Sequence, residues 1–358
     1  MTPELVEGFP ELGKVGRAFF ERVIRPRLGA ARPEVLVGPR YGADVAIVRL
    51  GEGKVLAATT DPLSLIPQIG PEDSAWLSVQ LLASDLLTSG ISPAWALVDF
   101  NLPPHLPAEE FERYWEAMHR EFAHLGVAVI GGHTGKFEGC DYTIIGGGTL
   151  LGIGDEDRYL WAGTARAGDK LIVTKGVAIV TVGLFARIFP NTLRERLGAE
   201  LLERAQGFLR RATTVEDAQV ALSVGVREDG VTALHDATEG GVLGGLYELA
   251  EAAGLGVQVE KERIPLPEES AKLCGLLGID PYRALSEGTL LIAVRPGKAS
   301  QVVEALRERG IVAAEVGELL PPEEGRWLIA DGKAQPLEPV EVDPYWEAFW
   351  KAVEEGWS

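Results

Sequence analysis

Residues 235–241, HDATEGG, set His235, Asp236, Thr238 and Glu239 ahead of the Gly240-Gly241 pair. An apolar stretch (Val231, Ala233, Leu234) precedes them and an amphipathic one follows. A strand that hands over to a helix at such a point brings an imidazole and carboxylates beside free helix amides, which favour an anion. Asp236 and Thr238 suit helix caps. His235 and Glu239 are not explained by capping and are candidates for acid–base work or acceptor contact. Glu287, in LSEGTLL, stands just before another apolar run and reads either as a polar strand start or as a second acid–base group.

Three aspartates sit at the ends of elements in the first half: Asp44 in YGAD, Asp61 in TTDP and Asp85 in LLASDLL. A hard cation takes carboxylate oxygens and holds phosphates through shared coordination. Alone, Asp44 and Asp61 read as turn residues. Asp85 differs, because a carboxylate in a nearly all-apolar helix is costly unless paired or metal-bound. The stretch VIGGHTGK, residues 129–136, reads as a buried strand entering a glycine turn. Its amides suit an anion that Lys136 would neutralise. His133 alone reads as a surface or hydrogen-bonded histidine rather than a ligand. The spacing is not that of a P-loop. No serine elbow is present, and neither Cys140 nor Cys274 has a histidine nearby in sequence.

The elements that must position these residues follow from pattern and punctuation. Strands are predicted in EVLVGPRYGADVAIVRL (two), KVLAATTDPL, AWALVDFNLPP and YTIIGGGTLLGI, and helices in DSAWLSVQLLASDLLTSG, capped at Asp73 or Ser74, and over 108–124. Ser78, Asp85 and Ser89 form one thin polar stripe on the first of these helices. A second half starts at KLIVT, with helices around 178–188, 194–226 and 299–309. Its strands include EGTLLIAV, IVAAEVGEL and a hairpin through Asp331-Gly332. The tail helix DPYWEAFWKAV is capped at Asp343, and its stripe of Trp346, Phe349, Trp350 and Val353 is expected to dock on the body. The domains are therefore read as 1–163, 164–335 and a tail, 336–358.

Composition bounds the function. Of 358 residues, 53 are acidic and 34 basic, a net charge of -19, which repels nucleic-acid backbones and anionic membranes. Two cysteines in unrelated contexts make neither a disulfide framework nor a zinc site. The N-terminus lacks a basic start and an apolar core, and no apolar run reaches membrane-spanning length, so a cytoplasmic protein is expected.

Taken in order, these motifs resemble the superfamily of aminoimidazole ribonucleotide (AIR) synthetase, selenophosphate synthetase, thiamine-monophosphate kinase and the hydrogenase maturation factor HypE. Gly42-Ala43-Asp44-Val45, Thr60-Asp61, Ser84-Asp85-Leu86 and Gly131-Gly132-His133-Thr134 match its N-terminal motifs, and the 235–241 loop with Ser286-Glu287-Gly288 favours the HypE branch. The resemblance implies a PurM-like α/β fold of two domains and a homodimer whose N-terminal sheets join into a barrel. It further implies Mg-ATP near the dimer interface and transfer of the γ-phosphate to an acceptor oxygen. By position, Asp44, Asp61, Asp85 and His133 would hold Mg²⁺, with Mn²⁺ or another divalent metal as the alternative. Gly42, Thr60, Gly131, Gly132, Thr134, Thr238, Gly240 and Gly241 would line the nucleotide and phosphates. His235, Asp236, Glu239, Glu287 and Lys136 would face the reacting group.

Three departures stand out. Ala43 and His133 replace family aspartates, and Glu239 replaces an arginine. Imidazole suits zinc, manganese or iron better than magnesium. HypE also carries its carboxamide on a C-terminal cysteine, whereas the tail here has none, so the acceptor is expected to be an external small molecule or protein-borne group. A small-metabolite kinase and a non-catalytic nucleotide-binding assembly partner are the alternatives.

Overall fold

The computed structural model describes residues 13–358. The leaderless N-terminus read from the sequence falls mainly on residues 1–12, outside the described residues. The chain runs from Gly13 into a short helix α1 (Arg17–Phe19), continued by a π-helical turn, Phe20–Ile24. It forms two units, a smaller one of Glu34–Val37 and Asp44–Tyr159 and a larger one built mainly from Leu160–Ser358.

In the smaller unit the strands are β1 (Val35–Val37), β2 (Ala46–Gly51), β3 (Lys54–Ser64), β4 (Trp95–Leu102), β5 (Ala128–Lys136) and β6 (Ile144–Asp155), in the order β1-β2-β3-β6-β4-β5. All neighbours are antiparallel except β4 and β5. Alternation decides the faces. Ala96, Val98, Phe100 and Leu102 are buried on one side of β4, whereas Leu97 and Asp99 on the other are exposed. Helices α2 (Gly70–Leu87) and α3 (Ala108–His124) belong to this unit. The glycine-rich run of β6 lets α2 approach, since a Cβ at Gly148 would lie 2.6 Å from Leu82 Cδ1.

Helix α2 begins three residues before the expected cap, at Gly70 with Pro71 in its first turn, so Asp73 and Ser74 lie inside it. Pro at this position loses no helical hydrogen bond. The thin polar stripe is satisfied internally. Ser78 Oγ accepts from Ser64 N (3.0 Å) and from the Tyr114 hydroxyl (3.2 Å), and Ser89 Oγ bonds Leu86 O.

The glycines of 131–135 do not form a turn: β5 runs straight through them to Lys136. The reason is close strand approach, because a Cβ at Gly132 would lie 1.8 Å from Val98 O. Gly132→Ala is therefore expected to destabilise the protein by about 1–3 kcal/mol or more. Gly131→Ala, where the Cβ would meet only a movable Leu97 methyl at 3.2 Å, should cost less. Urea midpoints of the two variants check this.

The larger unit holds β7 (Lys170–Thr174), β8 (Val231–Ala237), β9 (Gly256–Glu260), β10 (Thr289–Val294), β11 (Ala313–Leu320), β12 (Arg326–Ala330) and β13 (Lys333–Pro336), ordered β13-β12-β9-β11-β7-β10-β8. Its helices are α4 (Ile179–Ile188), α5 (Pro190–Leu197), α6 (Ala199–Gln206), α7 (Val215–Ser223), α8 (Gly241–Ala253), α9 (Glu268–Leu277), α10 (Ala299–Glu308) and α11 (Pro344–Glu354). Both β8 and β10 are buried along their whole length, β10 as an apolar run covered on both faces and β8 while carrying Thr232, His235 and Asp236. Leu243, Leu246, Leu249 and Ala250 of α8 pack with Leu171, Ala233 and Leu291 of the sheet. Each large side chain so buried contributes roughly 1.5–3 kcal/mol.

The tail docks on this unit as expected. Asp343 caps α11 through Tyr345 N (2.8 Å), and Phe185 meets Tyr345, Phe349 and Trp357 edge-on. The docked face differs from the expected stripe. Tyr345, Ala348 and Ala352 are buried, while Trp350 and Val353 are exposed. Among the described residues no helix is long and apolar enough to cross a membrane.

Candidate active site

In the smaller unit, the motif residues gather where β3 faces α2. Thr59 Oγ1 donates to Asp44 O (2.9 Å) and lies 3.2 Å from Asp85 Oδ2, so one buried hydroxyl ties the Asp44 backbone to the Asp85 carboxylate. Asp61 is two residues along β3 from Thr59, on the same face. Thr60 points to the opposite face, where Thr149 Oγ1 donates to its hydroxyl (3.2 Å).

The register places the β5 residues apart from this group. His133 pairs with Asp99 of β4, Asp99 with Gly147 of β6, and Gly147 with Pro62 of β3. Three strand spacings, about 14 Å, therefore separate His133 from the Asp61 neighbourhood. Within one chain, His133 and Asp61 do not share an ion. Gly131, Gly132, His133 and Thr134 are all exposed on this edge strand, and Lys136 Nζ donates to Leu106 O (2.6 Å) and Pro104 O (3.2 Å).

In the larger unit, β8 and β10 run antiparallel with Leu291 opposite His235, Leu290 opposite Asp236 and Thr289 opposite Ala237. The end of β8 thus lies beside the start of β10, and Glu287, two residues before Thr289, comes to the same end of the sheet. The loop carrying Glu287 is pinned. Ser286 Oγ accepts from Ala178 N (2.7 Å), and Lys175 Nζ donates to Gly288 O (3.0 Å). Gly288 is at φ 101°, and a Cβ there would lie 2.3 Å from Arg211 O.

Glu287 is half-buried, but its Oε2 is shut off from solvent and makes no hydrogen bond with the described residues. Burial pushes its carboxyl up to about 8, with Asp343 and Asp236 adding to the rise and Lys14 opposing it. This direction favours the protonated acid near neutral pH. Burial likewise raises Asp343 to about 6, against hydrogen bonds from the main-chain N–H groups of Tyr345, Gly240 and Leu285. For both groups the folded pKa exceeds the unfolded one. Their stabilising contribution is complete below about pH 4 and is lost as pH rises through 6 and then 8. Melting temperature should accordingly decline from pH 5 to 8 in the wild type, and Glu287→Gln should flatten the upper part of that decline.

His235 and Asp236 lie on the strand itself, 3% and 2% exposed, rather than in a turn. Neither Asp236 nor Thr238 caps α8 with its side chain; the cap residue is Gly240, at φ 84°. The loop amides are already used. Gly240 N donates to Asp343 Oδ2 (2.7 Å) and Gly241 N to Thr238 O (3.0 Å), so the tail carboxylate takes the place the sequence suggested for an anion. Glu239 accepts from Lys14 N (2.9 Å), and Lys14 Nζ donates to Thr238 Oγ1 (3.1 Å). Gly42 fits closely against α8, since a Cβ would lie 2.7 Å from Glu248 O.

Three contributors were not read from the sequence: Lys14, Asp343 as a partner of Gly240, and Glu248. Glu248 Oε2 lies 3.1 Å from His235 Nε2. Burial alone would raise its carboxyl, but the hydrogen bond to His235, with Lys14 and the Tyr41 hydroxyl, holds it below the usual carboxylate range. Its signal was available, as an acid among the apolar residues of a core helix, the same signal that marked Asp85.

Residues 42–153 match the N-terminal domain of the AIR synthase related protein family, and residues 166–327 match its C-terminal domain. The chain is 30% identical over 287 residues to the carbamoyl dehydratase HypE of Rhodobacter capsulatus, covering 76% of this chain and 78% of that one. The crystal structure of Escherichia coli HypE, a hydrogenase maturation protein, superposes with a TM-score of 0.69 at 27% identity, over 88% of this chain and 94% of that chain. A hydrogenase maturation protein HypE in complex with ATP shares the fold, with a TM-score of 0.62 at 22% identity, over 95% of this chain and 99% of that chain.

Proposed function

Since the chain belongs to the AIR synthase-related family, we propose that it is a HypE-like, ATP-dependent enzyme that phosphorylates a carbonyl, amide or acid oxygen of an external acceptor. The acceptor oxygen would form a bond to the γ-phosphorus as the bond to ADP breaks, turning that oxygen into a leaving group. The observation that carries the reading is the β8–β10 register, which sets His235 and Asp236 beside the loop of Glu287. His235 suits the proton acceptor and the protonated Glu287 the proton donor, two groups whose environments divide the roles. Lys14, held at Thr238, supplies the cation that Glu239 does not.

The sequence assigns a divalent cation to the smaller unit, but among the described residues the Asp44, Asp61 and Asp85 carboxylates do not come together as one ligand group, so the assignment rests on their chemistry. Asp44, Asp61 and Asp85 offer oxygen ligands, the donor set of Mg²⁺ or Mn²⁺, and such an ion would neutralise phosphate charge there. His133 does not fit the same ion within one chain. Its exposure supports the homodimer reading, as does the rest of β5. Val129 and Ile130 stand exposed on β5, the edge strand of this sheet among the described residues, and Leu97 and Ile153 are exposed on other strands of it. A lone protomer would leave an apolar edge prone to association. The free cysteines Cys140 and Cys274 suit a reducing, cytoplasmic setting. The HypE relative argues for a carboxamide acceptor and hydrogenase maturation over a small-metabolite kinase.

The test is phosphate release from ATP and Mg²⁺ with carboxamide and carboxylate acceptors, free or on a peptide. Release stimulated by one acceptor class supports the reading. ATP binding without release under every condition would leave the assembly-partner reading instead.

A further inference from the structure

The imidazole of His235 has a fixed neighbour. Glu248 sits on α8, three residues after Gly245, so the two share a helix face. Gly245 lets the helix settle against the strand, because a Cβ there would lie 2.7 Å from Leu291 Cδ1 and 3.4 Å from His235 Cδ2. The Glu248 carboxylate then reaches the edge of the ring, 3.1 Å from Nε2. The Tyr41 hydroxyl bonds the same carboxylate, and burial with the Glu248 charge pushes that phenol above its usual range.

We infer that Glu248 is the positioning residue of His235, fixing the neutral ring as the Nε2–H tautomer and making Nδ1 its proton-accepting nitrogen, with Tyr41 orienting the carboxylate. An ionised carboxylate only accepts hydrogen bonds, so the ring nitrogen facing it must donate. The arrangement is that of a base held by a third group. The choice of Nδ1 rests on the acid–base reading of His235 above, whereas the tautomer itself does not.

Ring 1H–15N correlation spectra of the full-length protein with 15N-labelled histidine, without nucleotide or acceptor, test the inference. The His235 signals are assigned by their loss in His235→Gln. The wild type should show the Nε2–H pattern. Glu248→Gln, which keeps an acceptor oxygen in place, should retain it, and Glu248→Leu should lose it. Glu248→Leu should also lower ATP turnover by roughly 10²-fold while the ATP-induced rise in melting temperature persists. An Nδ1–H pattern in the wild type, or an unchanged Nε2–H pattern in Glu248→Leu, would overturn the inference. If Glu248→Leu does not fold, the wild-type and Glu248→Gln spectra decide it alone. A wild-type Nε2–H ring with full turnover in His235→Gln would refute the acid–base reading and leave the tautomer assignment standing.

Discussion

Replacement of His235 by alanine is expected to cut ATP turnover by about 10²–10⁴-fold and to leave ATP-induced stabilisation intact. His235 is on β8 in the core of the larger unit, opposite Leu291 of β10. Its role in the account is proton transfer at the acceptor, which nucleotide binding does not require. The variant leaves a small cavity and an ionised Glu248 without its ring partner, so a lower melting temperature in the absence of ligand is expected as well. The diagnostic quantity is the difference between melting with and without Mg-ATP, read beside phosphate release. Wild-type turnover would reduce HDATEGG to a structural strand end. Loss of the nucleotide shift would move His235 from acid–base work to ligand binding.

Asp85→Ala should produce the complementary result. Asp85 is on α2, beside the Thr59 hydroxyl that also bonds Asp44 O. Alanine is the best helix former, and the substitution removes a carboxylate from a mostly buried helix, so the fold should survive. The account assigns this carboxylate to the cation that accompanies ATP. A ligand at 100 times its Kd stabilises the native state by about 2.7 kcal/mol, and that increment should vanish in the variant. Titration of melting temperature against Mg-ATP reads it directly. An Asp85→Ala protein that gains the wild-type increment would remove Asp85 from the metal site.

The sequence was most legible where local chemistry decides. Helix α3 spans Ala108–His124 as its periodicity predicts, and the Asp331-Gly332 turn joins β12 to β13 with both residues at positive φ. It was least legible where distant segments meet. The glycines at 131–132 read as a turn because nothing local reveals that β4 approaches within contact of a missing Cβ. The start of α2 was placed at Asp73-Ser74 because good capping residues stand there, whereas Pro71 at the first turn opens the helix earlier. The same limit applied to the site. The acids and His235 were visible as chemical outliers. Their partners were not, since Lys14 meets Glu239 and Asp343 meets Gly240 across separations of 225 and 103 residues.

The central claim, that this chain binds ATP through a divalent cation in order to use it, is tested most directly by thermal unfolding of the purified protein. Midpoints would be compared with ATP alone and with ATP plus Mg²⁺ or Mn²⁺. The account predicts a metal-dependent rise that grows with ATP concentration. No shift with ATP under any metal condition would contradict it, and would mean that this chain does not use the nucleotide.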